Sequence, residues 1–366
     1  MSVLHEYKCP CCGGGINFDS TVQKLKCPYC DTEFEIETLN ECEAEMNNSA
    51  QASDDINWNT ESGEYFTEDE AAGFCTFVCN SCGGEIVGEE TTAATSCPFC
   101  GNPVVIKSRL SGSMRPDLVI PFKLDKKAAK EGLVRHLSGK PLLPKMFKDE
   151  NHIDEIRGMY VPFWLFDSDA EADVSYRATK VRVWHDRNFN YTETSHFLVR
   201  RRGQIGFDHI PVDGSSKMAN DLMESIEPFD LSDAVDFNTA YLAGFLADKY
   251  DVSSADCVER ANERVRNTTQ AAFTQTVQGY SSVVPEHSAI RINNGRVQYA
   301  LFPVWMLTTH WHDNDYTFVM NGQSGKFVGD LPTDGITAAK WLFGLTVGIG
   351  AVVSLIMWLM WNGGIL

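Results

Sequence analysis

The sequence predicts an α+β protein with two small four-cysteine modules at its N-terminus, a helix-plus-antiparallel-sheet middle region that weakly echoes itself, and one C-terminal transmembrane helix. Three observations predict this. Eight of the twelve cysteines fall in four C-x2-C pairs. The middle of the chain alternates apolar and polar residues over long stretches, the period of a half-buried strand. Residues 341–361 carry no charge. The chain has 366 residues, 43% of them hydrophobic, so it can bury a sizeable core and divide into two or three domains.

The cysteines come first in the chain. Cys9-x2-Cys12 is followed after fourteen residues by Cys27-x2-Cys30, and Cys79-x2-Cys82 after fourteen by Cys97-x2-Cys100; the offset is 70 residues. Chance does not repeat both spacings. A tight C-x2-C turn aims two sulfurs at one point, and two such turns on separate hairpins close a tetrahedral four-thiolate site. The N-terminus MSVLHEYKCP has no apolar signal-peptide core, so the expectation is a reducing compartment where paired cysteines hold metal. These eight are the expected ligands of two structural zinc ions, in zinc ribbons at 1–40 and 75–107. Four protein ligands leave no open coordination position, which argues against zinc catalysis. Modules this short draw their folding energy from the metal, on the order of 10 kcal/mol. Cys11, Cys42, Cys75 and Cys257 lie outside the ligand pattern and are expected to be spectators.

Between the ribbons, 41–74 is expected to be a flexible acidic linker. From Asp31 to Cys75 there are fourteen acidic residues and no Lys or Arg, with Trp58, Tyr65 and Phe66 as its sticky aromatics. It could dock a basic partner; a solvated spacer is the simpler reading.

The middle divides into α+β units at 108–224 and 225–331. DVSYRATKVRVW and NYTETSHFLVR read as strands joined by a turn at 185–188. Ser232 and Asp233 are expected to open a helix with Tyr241, Leu242, Phe245 and Leu246 on one face. Ser253-x-x-Asp256 reads as a capping box opening another, which carries Val258, Ala261 and Val265. Residues 119–133 resemble 225–242, MYVPFWLFD at 159–167 resembles QYALFPVWMLTTHWHD at 298–313, and Trp184-His185-Asp186 and Trp311-His312-Asp313 both precede a Tyr-Thr pair, an echo read as a weak duplication with coincidence among aromatic strands as the alternative.

The segment 332–366 is linker plus anchor. Its apolar run WLFGLTVGIGAVVSLIMWLMW spans about 30 Å as a helix, the thickness of a bilayer's hydrocarbon core, and has tryptophans at both ends. The expected localisation is the cell membrane, single-pass, with the N-terminal bulk cytoplasmic. Gly344 and Gly348 could pair two such helices into a homo-oligomer, although glycine is common in membrane helices.

Catalytic motifs are missing: there is no H-E-x-x-H and no G-x-S-x-G, and Asn321–Lys326 reads as a hairpin turn rather than a phosphate loop. No catalytic residue is expected. His310 and His312 share a strand face and could bind metal with Asp313 or Asp315, but a polar strand face is the commoner use. Arg177, Lys180, Arg182, Arg187 and Arg200 to Arg202 form the one basic excess. It could meet anionic lipid or an acidic partner, such as the connector of a second copy, or be a solvated strand edge. A net charge of −19 and a pI near 4.8 argue against nucleic acid. Lys8, Lys24 and Lys26 favour it on the first ribbon; the second has Glu85, Glu89 and Glu90, and no Lys or Arg before Lys107.

The double ribbon, YVPFW at 160–164, IEPFD at 226–230, YLAGFLADKYDV at 241–252, NGQSGKFVGDLP at 321–332 and the final anchor together resemble a family of bacterial TFIIB-type zinc-ribbon membrane proteins. Its members are often named after the primosomal replication-restart helicase. That name rests on the ribbons; this chain has no Walker A loop and no room for two motor domains. The resemblance implies neighbours among envelope-stress proteins of the phage-shock and SPFH types, and no established catalytic residues. The expected function is a membrane-anchored adaptor or scaffold. The alternatives are a nucleic-acid-binding, replication-restart-type protein and an enzyme of unknown type in the α+β region.

Overall fold

The computed structural model describes residues 7–41, 44, 54–60, 63–71, 73–89, 96–110, 113–312 and 314–362. Its strands are β1 (Asn17–Asp19), β2 (Lys24–Lys26), β3 (Glu33–Phe34), β4 (Asp55–Asn59), β5 (Phe74–Cys79), β6 (Glu85–Glu89), β7 (Val104–Arg109) and β8 (Leu118–Val119), then β9 (Arg157–His185), β10 (Asn190–Asp213), β11 (Val235–Asp236), β12 (Leu246–Asp248), β13 (Ser282–Trp311), β14 (Asn314–Asn321) and β15 (Phe327–Gly329). The mixed α+β class is as expected. The chain forms two compact units: Met1–Thr60, Phe166–Ile210 and Val258–Val297 make one, and Glu61–Leu165, Pro211–Cys257 and Gln298–Leu366 the other.

In the first unit, β1, β2 and β3 form a small antiparallel sheet of their own, which is the first ribbon. The rest is built on β9, where Ala170, Ala172, Val174, Tyr176 and Ala178 are buried while Asp167, Asp169, Glu171 and Asp173, at the alternate positions, stay partly or fully exposed. That period of two gives one face to the core and one to water. The buried face packs with Val199 of β10, Ile290 and Ile292 of β13, and Val265 of the helix Ser254–Gln275. The capping box predicted at Ser253 starts that helix: the Ser253 hydroxyl donates to Asp256 Oδ2 at 2.6 Å and accepts the Asp256 amide at 3.3 Å.

In the second unit the strand order is β11-β8-β13-β9-β12-β6-β5-β7, with β14 on β13 and β15 on β14. The helix Lys126–Leu137 begins at Asp125, whose carboxylate accepts the Ala128 amide at 2.8 Å. Its Ala129, Leu133 and Leu137, four residues apart, are buried with Trp305, Leu307, Phe318 and Met320.

One construction occurs twice in this unit. β8 runs parallel to β13 with Leu118 opposite Ala300, and β12 runs parallel to β9 with Leu246 opposite Met159. Seven residues after each of these leucines comes the residue that starts a helix, Asp125 or Ser253. The Trp305 indole donates to the Leu124 carbonyl at 3.0 Å, and the Trp164 indole to the Val252 carbonyl at 2.9 Å. Gly322 N–H donates to the Pro303 carbonyl at 2.8 Å, and Gly214 N–H to the Pro162 carbonyl at 2.9 Å. The amides of Lys123 and Leu124 both reach the Gly322 carbonyl, as those of Asp251 and Val252 reach the Gly214 carbonyl. The sequence echo aligned 119–133 with 225–242; the bonding instead matches 118–125 with 246–253.

Two local expectations fail. No helix runs from Ser232 to Leu246: Leu231–Asp233 and Thr239–Leu242 are single 3-10 turns, and Leu246–Asp248 is β12. Asp230 and Asn238 cap those turns with their own side chains, accepting from the Ser232 and Ala240 amides, and Gly244 at φ +78° turns the chain into the strand. The expected flexible linker contains β4, paired in parallel with β13. Its aromatics supply the reason: Trp58 meets Phe166 edge-on at 5.0 Å and donates to Asn262 at 2.7 Å, and Phe66 is buried against Phe237. Residues 42–43, 45–53, 61–62 and 72 of the connector lie outside the described residues.

The hairpins predicted at 185–188 and 321–326 are present: the Asp186 amide donates to the Phe189 carbonyl, and the Gly325 amide to the Asn321 carbonyl. The C-terminal helix runs Gly335–Asn362, and Gly335–Met360 is long and apolar enough to cross a membrane. Its most apolar stretch is not buried anywhere inside the protein, as a soluble core helix would be.

Candidate metal centres

Each cysteine pair sits in the same backbone turn. In the first ribbon the Cys9 amide donates to the Gly14 carbonyl and the Gly13 amide returns to the Cys9 carbonyl, both at 2.7 Å; Cys27 bonds Thr32 and Asp31 in the same way at 3.0 and 2.9 Å. In the second, Cys79 pairs with Gly84 and Gly83, and Cys97 with Asn102 and Gly101. Four residues after the leading cysteine the backbone turns left-handed: Gly13 at +76°, Asp31 at +57°, Gly83 at +73° and Gly101 at +71°. Glycine takes that conformation without steric cost, and aspartate is one of the few residues that tolerate it.

The turns close two four-sulfur clusters, Cys9, Cys12, Cys27, Cys30 and Cys79, Cys82, Cys97, Cys100. Cys9 lies 3.6 Å from Cys30 and Cys12 lies 3.4 Å from Cys27; the matching separations in the second cluster are 3.5 Å for Cys79–Cys100 and 3.7 Å for Cys82–Cys97. A tetrahedral zinc with Zn–S bonds of about 2.3 Å requires an edge of about 3.8 Å, so both clusters have the size of a four-thiolate site. All-thiolate donors in tetrahedral array suit zinc or iron and exclude the hard, oxygen-seeking cations. Either cluster could therefore hold a metal ion, and zinc fits. Polar neighbours repeat too: two residues after the last cysteine, the Thr32 hydroxyl lies 3.1 Å from Cys30 Sγ, and Asn102 Nδ2 donates to Cys100 Sγ at 3.4 Å. The sequence motif did not extend to that position.

Thiolate formation is tuned by the turns. Burial works to raise Cys30, but hydrogen bonds from the Thr32 hydroxyl and amide bring it down to about 6. At Cys79 burial is likewise overcome by the Cys82 and Ser81 amides, giving about 7. Burial raises Cys97. Metal replaces these protons when it binds.

The two sites differ in their surroundings. Tyr29 lies over Gly14, and Phe99, 70 positions on, lies over Gly84. Tyr29 is 76% exposed, whereas Phe99 is buried among Cys79, Cys97, Phe77 and Ile86 in the main core of the second unit. The second ribbon's β5, β6 and β7 continue the large sheet through β12, where Ala247 faces Val87 and Asp248 faces Ile86.

Other expected site residues do not assemble. His310 pairs across strands with Asp315 at 2.9 Å, His312 packs against Trp311, and neither joins a metal-sized cluster among the described residues; Asp313 lies outside them. The structure does bring together Asp167, Asp208 and His209, a group the sequence reading missed because the partners are 41 positions apart. His209 Nδ1 lies 2.8 Å from Asp208 Oδ1, and Asp167 Oδ1 accepts the His209 amide at 2.6 Å. Those bonds account for the arrangement. On the first ribbon Lys24 pairs with Glu35 at 3.0 Å and Lys26 with Asp31 at 3.7 Å. In the basic excess, Arg177 pairs with Glu286, and Arg200 and Arg202 share Asp173.

No family model matches this chain. No solved structure matches it. It is 34% identical over 362 residues to an uncharacterized protein, YdjG, of Bacillus subtilis (strain 168), an alignment covering 99% of this chain and all of the relative.

Proposed function

The chain belongs to the family of Bacillus subtilis YdjG, and we propose that it is a membrane-anchored zinc-ribbon adaptor that recruits soluble proteins to the cytoplasmic face of the cell membrane. The observation that carries this reading is the pairing, on one chain, of two closed four-thiolate clusters with an unburied apolar helix. Four ligands per site leave zinc no position for water or substrate, so the metal supplies shape rather than chemistry. On this reading the function resides in the surfaces the chain presents. Proteins of the phage-shock and SPFH type are the partners this proposal names first.

Binding to nucleic acid is the weaker reading. Lys24 and Lys26 are each engaged by an acidic neighbour, and the net charge of −19 repels phosphate. The twice-built strand–helix–strand construction, with its paired Trp164 and Trp305 indole bonds, supports an origin by duplication and a scaffold with two comparable halves. Gly344 and Gly348 lie along one groove of the apolar helix with Leu345, Ile349, Val352 and Val353, a geometry suited to a second helix.

The test is affinity capture of the full-length protein from detergent-solubilised membranes, with and without nuclease. Nuclease-resistant recovery of defined envelope-stress proteins is the expected result. Recovery only of replication proteins that disappear with nuclease would overturn the adaptor reading.

A further inference from the structure

The hairpin between β9 and β10 projects a tip that the fold leaves bare. From Lys180 to Tyr191 every residue is exposed, and the exposed set includes Val181, Val183 (66%), Trp184, Phe189 (64%) and Tyr191. Trp184 and Tyr191 stack on each other at 5.5 Å, and Arg182 lies over Trp184 at 5.4 Å. The other hairpin, between β13 and β14, carries a similar Trp–Tyr pair, Trp311 and Tyr316, but there Phe147 covers both rings. Nothing comparable covers the first tip among the described residues.

In a chain of net charge −19 the segment 180–191 holds Lys180, Arg182 and Arg187 against one acid, Asp186. Asp186 is committed to the turn, accepting from the Asn188 and Phe189 amides at 2.8 Å and from the Tyr191 hydroxyl at 3.1 Å. Among the described residues no carboxylate pairs with any of the three cations. Successive strand residues point to opposite faces, so Val181 and Val183 lie on one side of the ribbon, Arg182 and Trp184 on the other, and Phe189 at the end. A protein partner with one complementary surface covers one face. Immersion in a headgroup layer satisfies both faces at once, and indole, phenol and guanidinium groups are the side chains that settle at that depth. We propose that this tip inserts into the headgroup region of an anionic phospholipid bilayer, a contact that rests on the membrane-anchored reading and adds a second point of attachment to it.

The test places p-benzoyl-phenylalanine at Phe189 in the full-length protein. The protein is reconstituted into vesicles of phosphatidylcholine alone, or with roughly a third phosphatidylglycerol. Flotation reports anchoring, and photolysis followed by mass spectrometry reports what position 189 touches. The expected result is flotation on both vesicles and a phospholipid adduct on the anionic ones. That adduct should fall at least about tenfold in high salt or in the triple variant Lys180→Glu, Arg182→Glu, Arg187→Glu. Flotation without a lipid adduct, or with a cross-link to a second copy or another protein, overturns the insertion and leaves the anchor standing. Flotation on anionic vesicles only, with the lipid adduct, supports the tip and removes the helix as anchor. Neither flotation nor adduct defeats both.

Discussion

Removing metal from one ribbon should cost far more than removing it from the other. The perturbations are the matched pairs Cys27→Ser with Cys30→Ser, and Cys97→Ser with Cys100→Ser; each should leave one zinc per chain. The first ribbon has its own three-stranded sheet and an exposed Tyr29, so its loss should leave the main thermal transition in place. The second holds β5 and β6 in register with β12, and with them Phe77, Ile86, Val87 and Leu246, none more than 6% exposed. Full burial of such side chains is worth about 1.5–3 kcal/mol each, so releasing the four would forfeit on the order of 6–12 kcal/mol. That rivals the whole stability of a typical domain, about 5–15 kcal/mol. The main transition of the purified full-length protein should drop by more than about 10 °C, or disappear. Calorimetry with metal analysis on the same samples provides the assay. A Cys97/Cys100 variant that keeps one zinc and the parent transition would refute the view that the second ribbon is part of the core. Two zincs in either variant would refute the ligand assignment.

Three further outcomes are expected. Asp248 is buried, where the matched position in the other half is Ile120. Burial pushes its carboxyl well above the usual range, Ser215 pulls it down, and Asp213 and Asp251 push it further up. A group whose folded-state pKa is raised stabilises while protonated and loses that contribution as pH rises. Asp248→Asn should therefore stabilise at neutral pH by on the order of 1–3 kcal/mol and converge with the parent in acid, as denaturant titrations at several pH values would show; a constant difference contradicts the assignment. Asp31→Gly should relieve the one non-glycine left-handed knuckle and strengthen zinc retention by the first ribbon several-fold against a chelator, corresponding to about 0.5–1 kcal/mol; weaker retention would mean that the Lys26 pairing matters more. Ser253→Ala should cost about 1 kcal/mol through loss of the helix cap, and an unchanged melting temperature would count against it.

The sequence by itself determined the two four-cysteine clusters, the apolar helix and the long alternating strands. These depend on covalent spacing and on periodicity, which are local. C-x2-C sets two sulfurs in one turn whatever surrounds it, and Ser253-x-x-Asp256 caps a helix with atoms three residues apart. What the tertiary structure decided is how those pieces are used. Both ribbons have the same knuckles, yet one keeps a small sheet of its own with Tyr29 in water, and the other pairs with strand β12 and sinks Phe99 into a core. The stretch 231–246 has helical spacing on paper, but Leu246 and Ala247 are buried in a strand that pairs with β9 and β6, a non-local pairing that helical spacing does not register. The connector looked solvated by composition until Trp58 found Phe166 and Asn262, more than a hundred positions away. The bare hairpin tip has the same origin. Trp184 and Trp311 read alike in the sequence, and the presence of Phe147 over one of them is a fact of packing between segments that no local pattern encodes.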